Sequence, residues 1–315
     1  MNAPTAVFEH ERARLTGLAY RIIGSWTEAE DVVQDVWVKW NAADRDHIDT
    51  PAAWLTTVTS RSSIDRLRSA QRQREEYVGP WLPEPISIDP SPEDVAELSD
   101  SLTFGFLVAL EKLSPVDRAV FVLHEVFDVP YVEIAAVVDK SEAACRQIAH
   151  RAKARVRADR PARQPDDPSA VRELLDACIA ASVSGDVDSL ERLFHEDIVL
   201  VSDGGADRHA ARRPIIGRDR VTRFLSTIAQ RAADSVRFEF VQVNGLPAAV
   251  VLQGDAPVLC LTIEPAESVD RVGRIWIVLN PDKLHALADS CGFGAPYDGE
   301  LRSPRRISVA KPPEG

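Results

Sequence analysis

A chain of 315 residues is long enough for two or three domains, each with a hydrophobic core of its own. Apolar residues make up 45% and charged residues 27% of it, and neither a membrane-spanning run nor a hydrophobic signal stretch is present in the sequence, so we expect a cytoplasmic globular protein without membrane partners. The net charge of -12 excludes indiscriminate nucleic-acid binding, because phosphate contacts would have to be concentrated on a locally basic surface.

Residues 1–76 are predicted to form a helical domain, because their helices have clear start signals. Thr27 and Glu30 have the spacing of a capping box, which opens a helix that ends near Trp40. Thr50 and Pro51 supply a cap and a first-turn proline ahead of a long second helix. The apolar stripe of the helix that ends near Trp40 is predicted at Val33, Val36, Trp37 and Trp40.

Two proline-rich segments divide the chain. Residues 79–92 contain five prolines and no helical or strand periodicity, so residues 77–92 are predicted to be an extended linker. Residues 161–168 have the same character and are predicted to be a second linker. The chain should therefore fold in three parts.

The second helical domain, predicted over residues 93–160, ends in a helix-turn-helix. Helix starts in this part of the chain are indicated by Ser91-Pro92 and Ser114-Pro115. Asp139 and Lys140 form a short turn, and Ser141 occupies the N-cap position of the helix that follows. The buried face of the helix before the turn is predicted at Val132, Ile134, Ala135 and Val138. Eight basic and two acidic residues lie between positions 140 and 163, and this local charge of +6 favours contact with DNA.

Residues 169–292 are predicted to form an α+β domain, and residues 293–315 a poorly ordered tail. Asn244-Gly245 is a hairpin signal between two of the β-like runs. Helices over a curved, mostly antiparallel sheet follow from this order of elements. Helices are predicted at 171–185, 187–195 and 218–233, and strands at 197–202, 235–243, 248–253, 258–264 and 274–279.

Three segments of the first half, in this order, resemble the extracytoplasmic function (ECF) sigma factors, the small promoter-specificity subunits of bacterial RNA polymerase. The segments are residues 19–40 (AYRIIGSWTEAEDVVQDVWVKW), residues 53–69 (AWLTTVTSRSSIDRLRS) and the helix-turn-helix. The resemblance implies a region 2 helical domain and a region 4 helix-turn-helix domain. It also implies that the chain binds core polymerase and directs recognition of the -35 and -10 promoter elements.

The second half resembles the SnoaL-like, or NTF2-like, cone-shaped fold. Together the two halves are similar to the sigma-factor subgroup that carries such a domain as a C-terminal extension. Three strings support that subgroup: residues 81–85 (WLPEP), 203–205 (DGG) and 280–284 (NPDKL). The middle string departs from the family pattern of a longer glycine run ending in lysine, because Ala206 and Asp207 follow it.

One face of the helix that ends near Trp40 is the expected polymerase-binding surface. Asp31, Gln34 and Asp35 lie on this face together with Val38, and carboxylates spaced by one turn suit recognition by arginines. On spacing alone a solvated acidic face is the favoured explanation. The resemblance implies docking on the β′ clamp, with region 4 on the β flap.

The long helix after Pro51 is the expected -10 surface. Basic side chains beside an aromatic ring suit single-stranded DNA, and the resemblance implies that this helix holds the opened -10 strand. Trp54 by itself is more typical of a core residue than of a base platform, so both interpretations stay open for it. The predicted -10 contacts are Trp54, Arg61, Asp65, Arg66, Arg68 and Arg72.

The helix after Ser141 is the expected -35 reader. Arg146 can reach guanine bidentately and Gln147 can pair with adenine, whereas Lys153 and Arg155 suit phosphate contacts. A basic surface helix without a DNA role is the alternative. The predicted -35 contacts are Ser141, Arg146, Gln147, His150, Arg151, Lys153 and Arg155, over a seam of Ala144, Ile148, Ala152 and Val156.

An enzymatic function of the C-terminal cone depends on which acid and base residues it contains. Acid/base work needs a positioned pair, and the candidates are His195, His209, Asp203 and Asp207. Asp203 with its glycines is more typical of a turn that ends a strand, and His195 of a helix end. We therefore predict no catalytic residue, although a cone of this kind can hold a small-molecule ligand. The alternative function is a DNA-binding repressor or sensor fused to a SnoaL-type ligand-binding or cyclase domain, but a repressor has no use for a polymerase-binding face.

Regulation within the same chain is predicted from two strings that local structure does not explain. Asn280-Pro281 is a helix cap, but Asp282 and Lys283 as a charged pair suggest contact with another domain. Trp81 in the stiff linker is the natural partner. The predicted interdomain residues are Trp81, Pro83, Glu84, Asn280, Asp282 and Lys283, with the sign of the regulation left open.

The four cysteines predict neither a metal site nor a redox motif. They lie far apart in the sequence and include no C-x-x-C pair. We expect reduced thiols, no cofactor and no metal.

Overall fold

The computed structural model describes residues 3–87, 101–159, 168–206, 208–232, 236–267 and 270–297. The predicted helix start at Ser91-Pro92 lies outside these residues, as do Asp207 and residues 298–315. The helices are α1 (Ala3–Ile23), α2 (Trp26–Ala42), α3 (Pro51–Arg74), α4 (Phe104–Leu110), α5 (Pro115–Glu125), α6 (Tyr131–Val138), α7 (Glu142–Asp159), α8 (Pro168–Ser184), α9 (Val187–Leu193), α10 (Arg218–Ala232) and α11 (His285–Cys291). The strands are β1 (Phe194–Asp203), β2 (Ile215–Ile216), β3 (Arg237–Val243), β4 (Leu246–Gln253), β5 (Ala256–Pro265) and β6 (Val272–Val278).

The start of α2 differs from the predicted capping box. Gly24 has a φ of +83°, which ends α1, and Ser25 then takes the N-cap position in an extended conformation. The Ser25 hydroxyl accepts the amide N–H of Glu28 at 3.2 Å. The box predicted at Thr27 and Glu30 is therefore wrong by two residues. The predicted starts of α3 at Pro51 and of α5 after Ser114 are present.

The helix-turn-helix forms as predicted, with a corrected buried face on α6. Asp139 is left-handed (φ +54°), and the Ser141 hydroxyl accepts the N–H of Ala144 at 3.2 Å. Ile134 is buried, but Val132 is 64% exposed. Val132 lies two residues before Ile134, which is a rotation of about 200° around the helix and turns it away from the core. Val137 is buried on α6, and the seam of α7 is Cys145, Ile148, Ala149, Ala152 and Val156 rather than one that includes Ala144.

The first helical unit (α1–α3) and the second helical unit (α4–α7) share one apolar core. Leu18 of α1 and Leu55 of α3 belong to the same buried cluster as Leu110 of α4 and Val120 of α5. Trp54 packs against this cluster, with its ring 5.5 Å from that of Trp40. The two helical blocks of the sequence are therefore packed directly against each other.

The C-terminal domain (α8–α11 and β1–β6) contains one sheet in the order β2-β1-β6-β5-β4-β3. Neighbouring strands are antiparallel except β1 and β6. Asn244 (φ +53°) and Gly245 (φ +76°) close the β3–β4 hairpin, as predicted from their sequence. The five predicted strands are present, whereas β2 was missed because two residues are too short a run to identify as a strand. His195 lies in β1 and does not end a helix.

Alternate residues of the strands face two different layers. One face carries Leu200 and Ile275 and packs against α8, α9 and α10. The opposite face carries Val201, Trp276 and Val278. This second face packs against Leu82 of the linker, Phe104 of α4 and Leu287 of α11. The sheet thus joins the C-terminal domain to both the linker, residues 75–87, and the second helical unit.

Candidate functional site

The exposed face of α2 is where the sequence placed it. Asp31, Gln34 and Asp35 are exposed, and Val38 beside them is 62% exposed, while Val33 on the opposite face is buried. Arg66 approaches Asp31 to 3.5 Å, and a surface pair of this kind contributes roughly 0–1 kcal/mol. This face is open for a basic partner.

Glu84 of the linker binds the beginning of α2. Its Oε2 accepts the backbone N–H groups of Trp26 at 2.9 Å and Thr27 at 3.0 Å, and its Oε1 accepts the hydroxyl of Ser25 at 2.6 Å. A buried carboxylate at a helix N-terminus satisfies unpaired N–H groups and complements the helix dipole. The linker therefore stabilises the helix that carries the acidic face.

On α3 the predicted -10 residues are divided between two environments. Asp65, Arg68 and Arg72 are exposed, with Arg68 and Asp65 paired at 3.0 Å. Arg61 instead donates hydrogen bonds to the carbonyl oxygens of Ala136 at 2.6 Å and Val137 at 3.1 Å, at the end of α6. The two helical units are thus joined through a predicted DNA contact.

The predicted reading face of α7 is accessible. Gln147, His150, Arg151 and Arg155 are exposed. Arg146 forms an ion pair with Glu142 one turn away and lies 5.5 Å from the ring of Tyr131. Lys153 pairs with Glu125 of α5 at 2.5 Å, and the Ser141 hydroxyl caps the helix.

Lys283 makes the predicted contact between the C-terminal domain and the linker. Its Nζ lies 2.6 Å from Oδ2 of Asp203, donates to the carbonyl oxygen of Leu82 at 2.5 Å, and lies 4.0 Å from the ring centroid of Trp81. Asp203 Oδ2 also accepts the N–H of Leu82 at 2.8 Å. Burial lowers the pKa of Lys283 to about 8, against the opposing effect of the Asp203 charge.

The rest of this contact involves both predicted and missed residues. The Tyr77 hydroxyl donates to Oδ1 of Asp203 at 2.5 Å and accepts from Nδ2 of Asn280 at 2.9 Å. Burial and the Asp203 charge raise the pKa of Tyr77. Pro83 is buried, but the Asp282 side chain is exposed, so Lys283 alone of the predicted charged pair reaches the linker.

Trp81 is held between two cations. The guanidinium of Arg74 lies 3.5 Å from its ring centroid, on α3, and Lys283 lies 4.0 Å from it. A Cβ at Gly24 would come within 2.7 Å of the same ring, so only glycine fits at the α1–α2 corner. Trp81 therefore contacts the first helical unit and the C-terminal domain together.

Asn244 was predicted only as a hairpin residue, but it also joins all parts of the chain. Its Oδ1 accepts the N–H of Ile86 at 3.1 Å, and its own N–H donates to the Ile86 carbonyl at 2.9 Å. Its Nδ2 donates to the hydroxyl of Tyr20 at 2.7 Å and to the carbonyl of Leu102 at 3.0 Å. Because a turn accounts for an Asn-Gly pair completely, the sequence contained no further signal for this role.

Glu264 and Arg274 were also missed, and both contact the ends of helices. Glu264 Oε1 accepts the N–H of Gly105 at 2.7 Å in the first turn of α4. Arg274 donates to the carbonyl oxygen of Asp159, the last residue of α7, at 2.9 Å. Single charged residues in strands carry no pattern that would identify such partners.

The acid/base candidates do not meet in a pocket. Asp203 is engaged by Lys283, His195 is half-buried in β1, and His209 is exposed. A cavity of about 430 Å³ lies beside Arg218 and Glu196, and another of about 250 Å³ beside Arg172 and Phe240. Within the described ranges, no group of three or more His, Cys, Asp or Glu residues could hold a metal ion. Among those residues there is also no helix long and apolar enough to cross a membrane.

Comparisons with known proteins agree with this arrangement. Residues 7–73 match the sigma-70 region 2 family, and residues 105–156 match the sigma-70 region 4 family. The ECF RNA polymerase sigma factor SigJ of Mycobacterium tuberculosis is 38% identical over 294 residues, which cover 88% of this chain and 92% of SigJ. Probable ECF RNA polymerase sigma factor SigI of the same species is 33% identical over 298 residues, 92% of this chain and 98% of SigI.

A solved structure covers the same span. The crystal structure of the M. tuberculosis extracytoplasmic function sigma factor SigJ superposes with a TM-score of 0.71 at 33% identity, over 90% of this chain and 98% of that one. This similarity extends through the C-terminal α+β domain. The chain therefore belongs to the ECF sigma factors of RNA polymerase, with α1–α3 as region 2, α4–α7 as the DNA-binding region 4, and a SnoaL-like C-terminal domain.

Proposed function

We propose that the C-terminal domain restrains this sigma factor by holding its two helical units together until core polymerase binds. The observation that carries the proposal is Arg61. This predicted -10 contact is hydrogen-bonded to the end of α6, in the helix-turn-helix, at 2.6 and 3.1 Å. This contact uses Nε and Nη2 of Arg61, so it competes with promoter DNA for the guanidinium group.

The geometry of a promoter supports the same conclusion. The -35 and -10 elements are centred about 25 base pairs apart, which is roughly 85 Å of duplex at 3.4 Å per base pair. Packed helices have axes only about 8–10 Å apart. Since α3 and α6 are in direct contact, one chain in this arrangement cannot hold both elements, and the helical units must separate for promoter recognition.

We propose that the contact around Lys283 keeps the two helical units together, and we call this contact the latch. Lys283 and Asp203 are buried against the backbone of Leu82, and removing one partner of such a pair costs about 3–5 kcal/mol. The contact is intramolecular, so a high effective concentration favours it without new interactions. Trp81 and Glu84 extend it from the linker to the first helical unit.

Two surfaces remain available to partners in this closed arrangement. We assign the face of Asp31, Gln34, Asp35 and Val38 to the β′ clamp, and the surface of region 4 to the β flap. Both are exposed or half-exposed in the closed chain, and polymerase would favour opening by holding them farther apart than the closed chain does. The predicted -35 residues of α7 and the exposed -10 residues of α3 are assigned to promoter DNA in the opened chain. We assign promoter recognition by this chain to the cytoplasm, where core polymerase and the chromosome are.

A non-catalytic role for the C-terminal domain follows from the same contacts. Asp203, one of the acid candidates, is used structurally by Lys283, Tyr77 and Leu82. The apolar layer between the sheet and α8–α10 is filled by side chains such as Leu175, Leu200 and Ile275. We therefore assign the domain to regulation, with the two surface cavities as the places to test for a small-molecule ligand.

Run-off transcription with limiting core polymerase tests the latch. The double variant Asp203→Asn/Lys283→Met removes both buried charges without leaving either unpaired, and we expect it to yield more transcript than the wild type. Asp282→Ala is the matched control, because its side chain is exposed beside the same contact. Equal or lower yield from the folded double variant would refute restraint by this contact.

A further inference from the structure

The C-terminal domain contacts the second helical unit at both of its chain ends. We propose that these two parts form one rigid body, and that the chain opens between this body and the first helical unit with its linker. The proposal rests on the opening described above and names the boundary along which it occurs. It assigns the C-terminal domain to region 4 as a permanent support.

The beginning of the second helical unit is held by three contacts. Glu264 accepts the N–H of Gly105 at 2.7 Å, where a carboxylate also complements the dipole of α4. Asn244 donates to the Leu102 carbonyl at 3.0 Å. Phe104 is buried in the second face of the sheet, with its ring stacked 6.4 Å from that of Trp276.

The other end of this unit is held at the last residue of α7. Arg274 of β6 donates to the carbonyl oxygen of Asp159 at 2.9 Å. A cation at a helix C-terminus satisfies an unpaired carbonyl and complements the dipole. The support thus acts on the reading helix itself, one turn beyond Arg155.

None of these contacts occupies the surface that reads DNA. Gln147, His150, Arg151 and Arg155 remain exposed while Glu264 and Arg274 are engaged. Region 4 can therefore read a -35 element with the C-terminal domain still attached. Arg61, by contrast, is released only when the first helical unit leaves.

The boundary between the two helical units contains a buried charge that is incompletely paired. Between the helical units, the fully buried Arg118 donates to the Arg21 carbonyl at 2.9 Å and pairs with Glu111, but one of its guanidinium nitrogens has no hydrogen-bond partner among the described residues. Burying an incompletely paired charge is costly, so water entering beside Arg118 favours separation of the helical units there.

Distances between labels in the full-length chain test this boundary. The exposed positions Ser69 on α3, Ala154 on α7 and Ala177 on α8 would be changed to cysteine in pairs for fluorescence transfer, with Cys291 replaced by serine. The three other thiols are buried, and burial raises their pKa values, that of Cys178 to about 12, so they react slowly with labels.

Addition of core polymerase should lengthen Ser69–Ala154 and Ser69–Ala177 by tens of ångströms and leave Ala154–Ala177 unchanged. If Ala154–Ala177 lengthens while Ser69–Ala177 stays constant, the C-terminal domain stays with the first helical unit and the inference is wrong. If all three distances stay constant in a formed complex, the proposed opening itself is wrong, which separates the two failures.

A double variant tests the contacts that Glu264 and Arg274 make with the second helical unit. Glu264→Leu/Arg274→Ala, which removes the acceptor for Gly105 and the donor to Asp159, should broaden the Ala154–Ala177 distance distribution in the polymerase complex at least twofold. Arg237→Ala is the control, because the ion pairs that Arg237 makes with other described residues are exposed, on the edge strand β3. A distribution as narrow as that of the wild type would show that these residues do not hold the body together, and would overturn the assignment.

Discussion

Replacing Asn244 by glycine isolates the junction at which the C-terminal domain meets the rest of the chain. Glycine adopts the positive φ of this turn without strain, so the change removes the side chain and leaves the hairpin geometry in place. Asn244→Ala would combine the loss of the amide group with backbone strain, because alanine does not readily adopt the positive φ of this turn. The perturbation therefore reports the hydrogen bonds of the amide group.

The magnitude follows from the bonds that break on opening. Two side-chain bonds cross the proposed boundary, from Ile86 N–H to Oδ1 at 3.1 Å and from Nδ2 to the Tyr20 hydroxyl at 2.7 Å. The bond to Leu102 lies within the rigid body and cancels between closed and open states. At roughly 1 kcal/mol each, their loss amounts to about 2 kcal/mol, which shifts the opening equilibrium roughly 30-fold.

Fluorescence transfer between labels at positions 69 and 177 is measured while core polymerase is added. We expect the Asn244→Gly chain to be half-open at a lower polymerase concentration than the wild type. Tyr20→Phe provides the second arm of a double-mutant cycle, because it removes one hydroxyl and keeps the ring. A coupling of about 1 kcal/mol between Tyr20→Phe and Asn244→Gly is expected. An unshifted titration together with zero coupling would refute the reasoning.

Three further predictions concern the polymerase face, the reading helix and pH. Asp31→Lys with Asp35→Lys should abolish pull-down of core polymerase with an unchanged circular dichroism spectrum, and normal binding by the folded variant would remove the docking assignment. Arg146→Ala should lose roughly 1–3 kcal/mol at one base pair of the -35 element, whereas Lys153→Ala should weaken all sequences alike and reduce the salt slope by about one, as measured by binding titrations. Burial lowers the pKa of Lys283 from 10.5 to about 8 in the closed chain, so opening takes up a proton between these pH values. The fluorescence titration should therefore require more polymerase as the pH rises from about 8 to 9. Lys283→Met should abolish this pH dependence, and an identical dependence in that variant would assign it to another group.

Local signals determined most of the elements of this protein. The turn at Asp139 with its cap at Ser141, and the hairpin at Asn244-Gly245, are present because such signals act within four residues and need no distant partner. The five long strands follow for the same reason, since a short run of apolar and β-branched residues is a property of adjacent residues. The ordered motifs were also sufficient to place the chain among the sigma factors.

Tertiary contacts decided the residues that connect these elements. Ser25 rather than Thr27 caps α2, in a corner completed by Glu84, 59 positions away from Ser25. Asp203 looked like a strand-ending turn and is instead the buried partner of Lys283, 80 positions on. A periodic pattern states which face of an element is buried, but it carries no information about which distant polar group will meet it. The sequence therefore determined the helices, strands and family, while the latch, the helix-end contacts and the closed packing depended on side chains that meet only after the chain has folded.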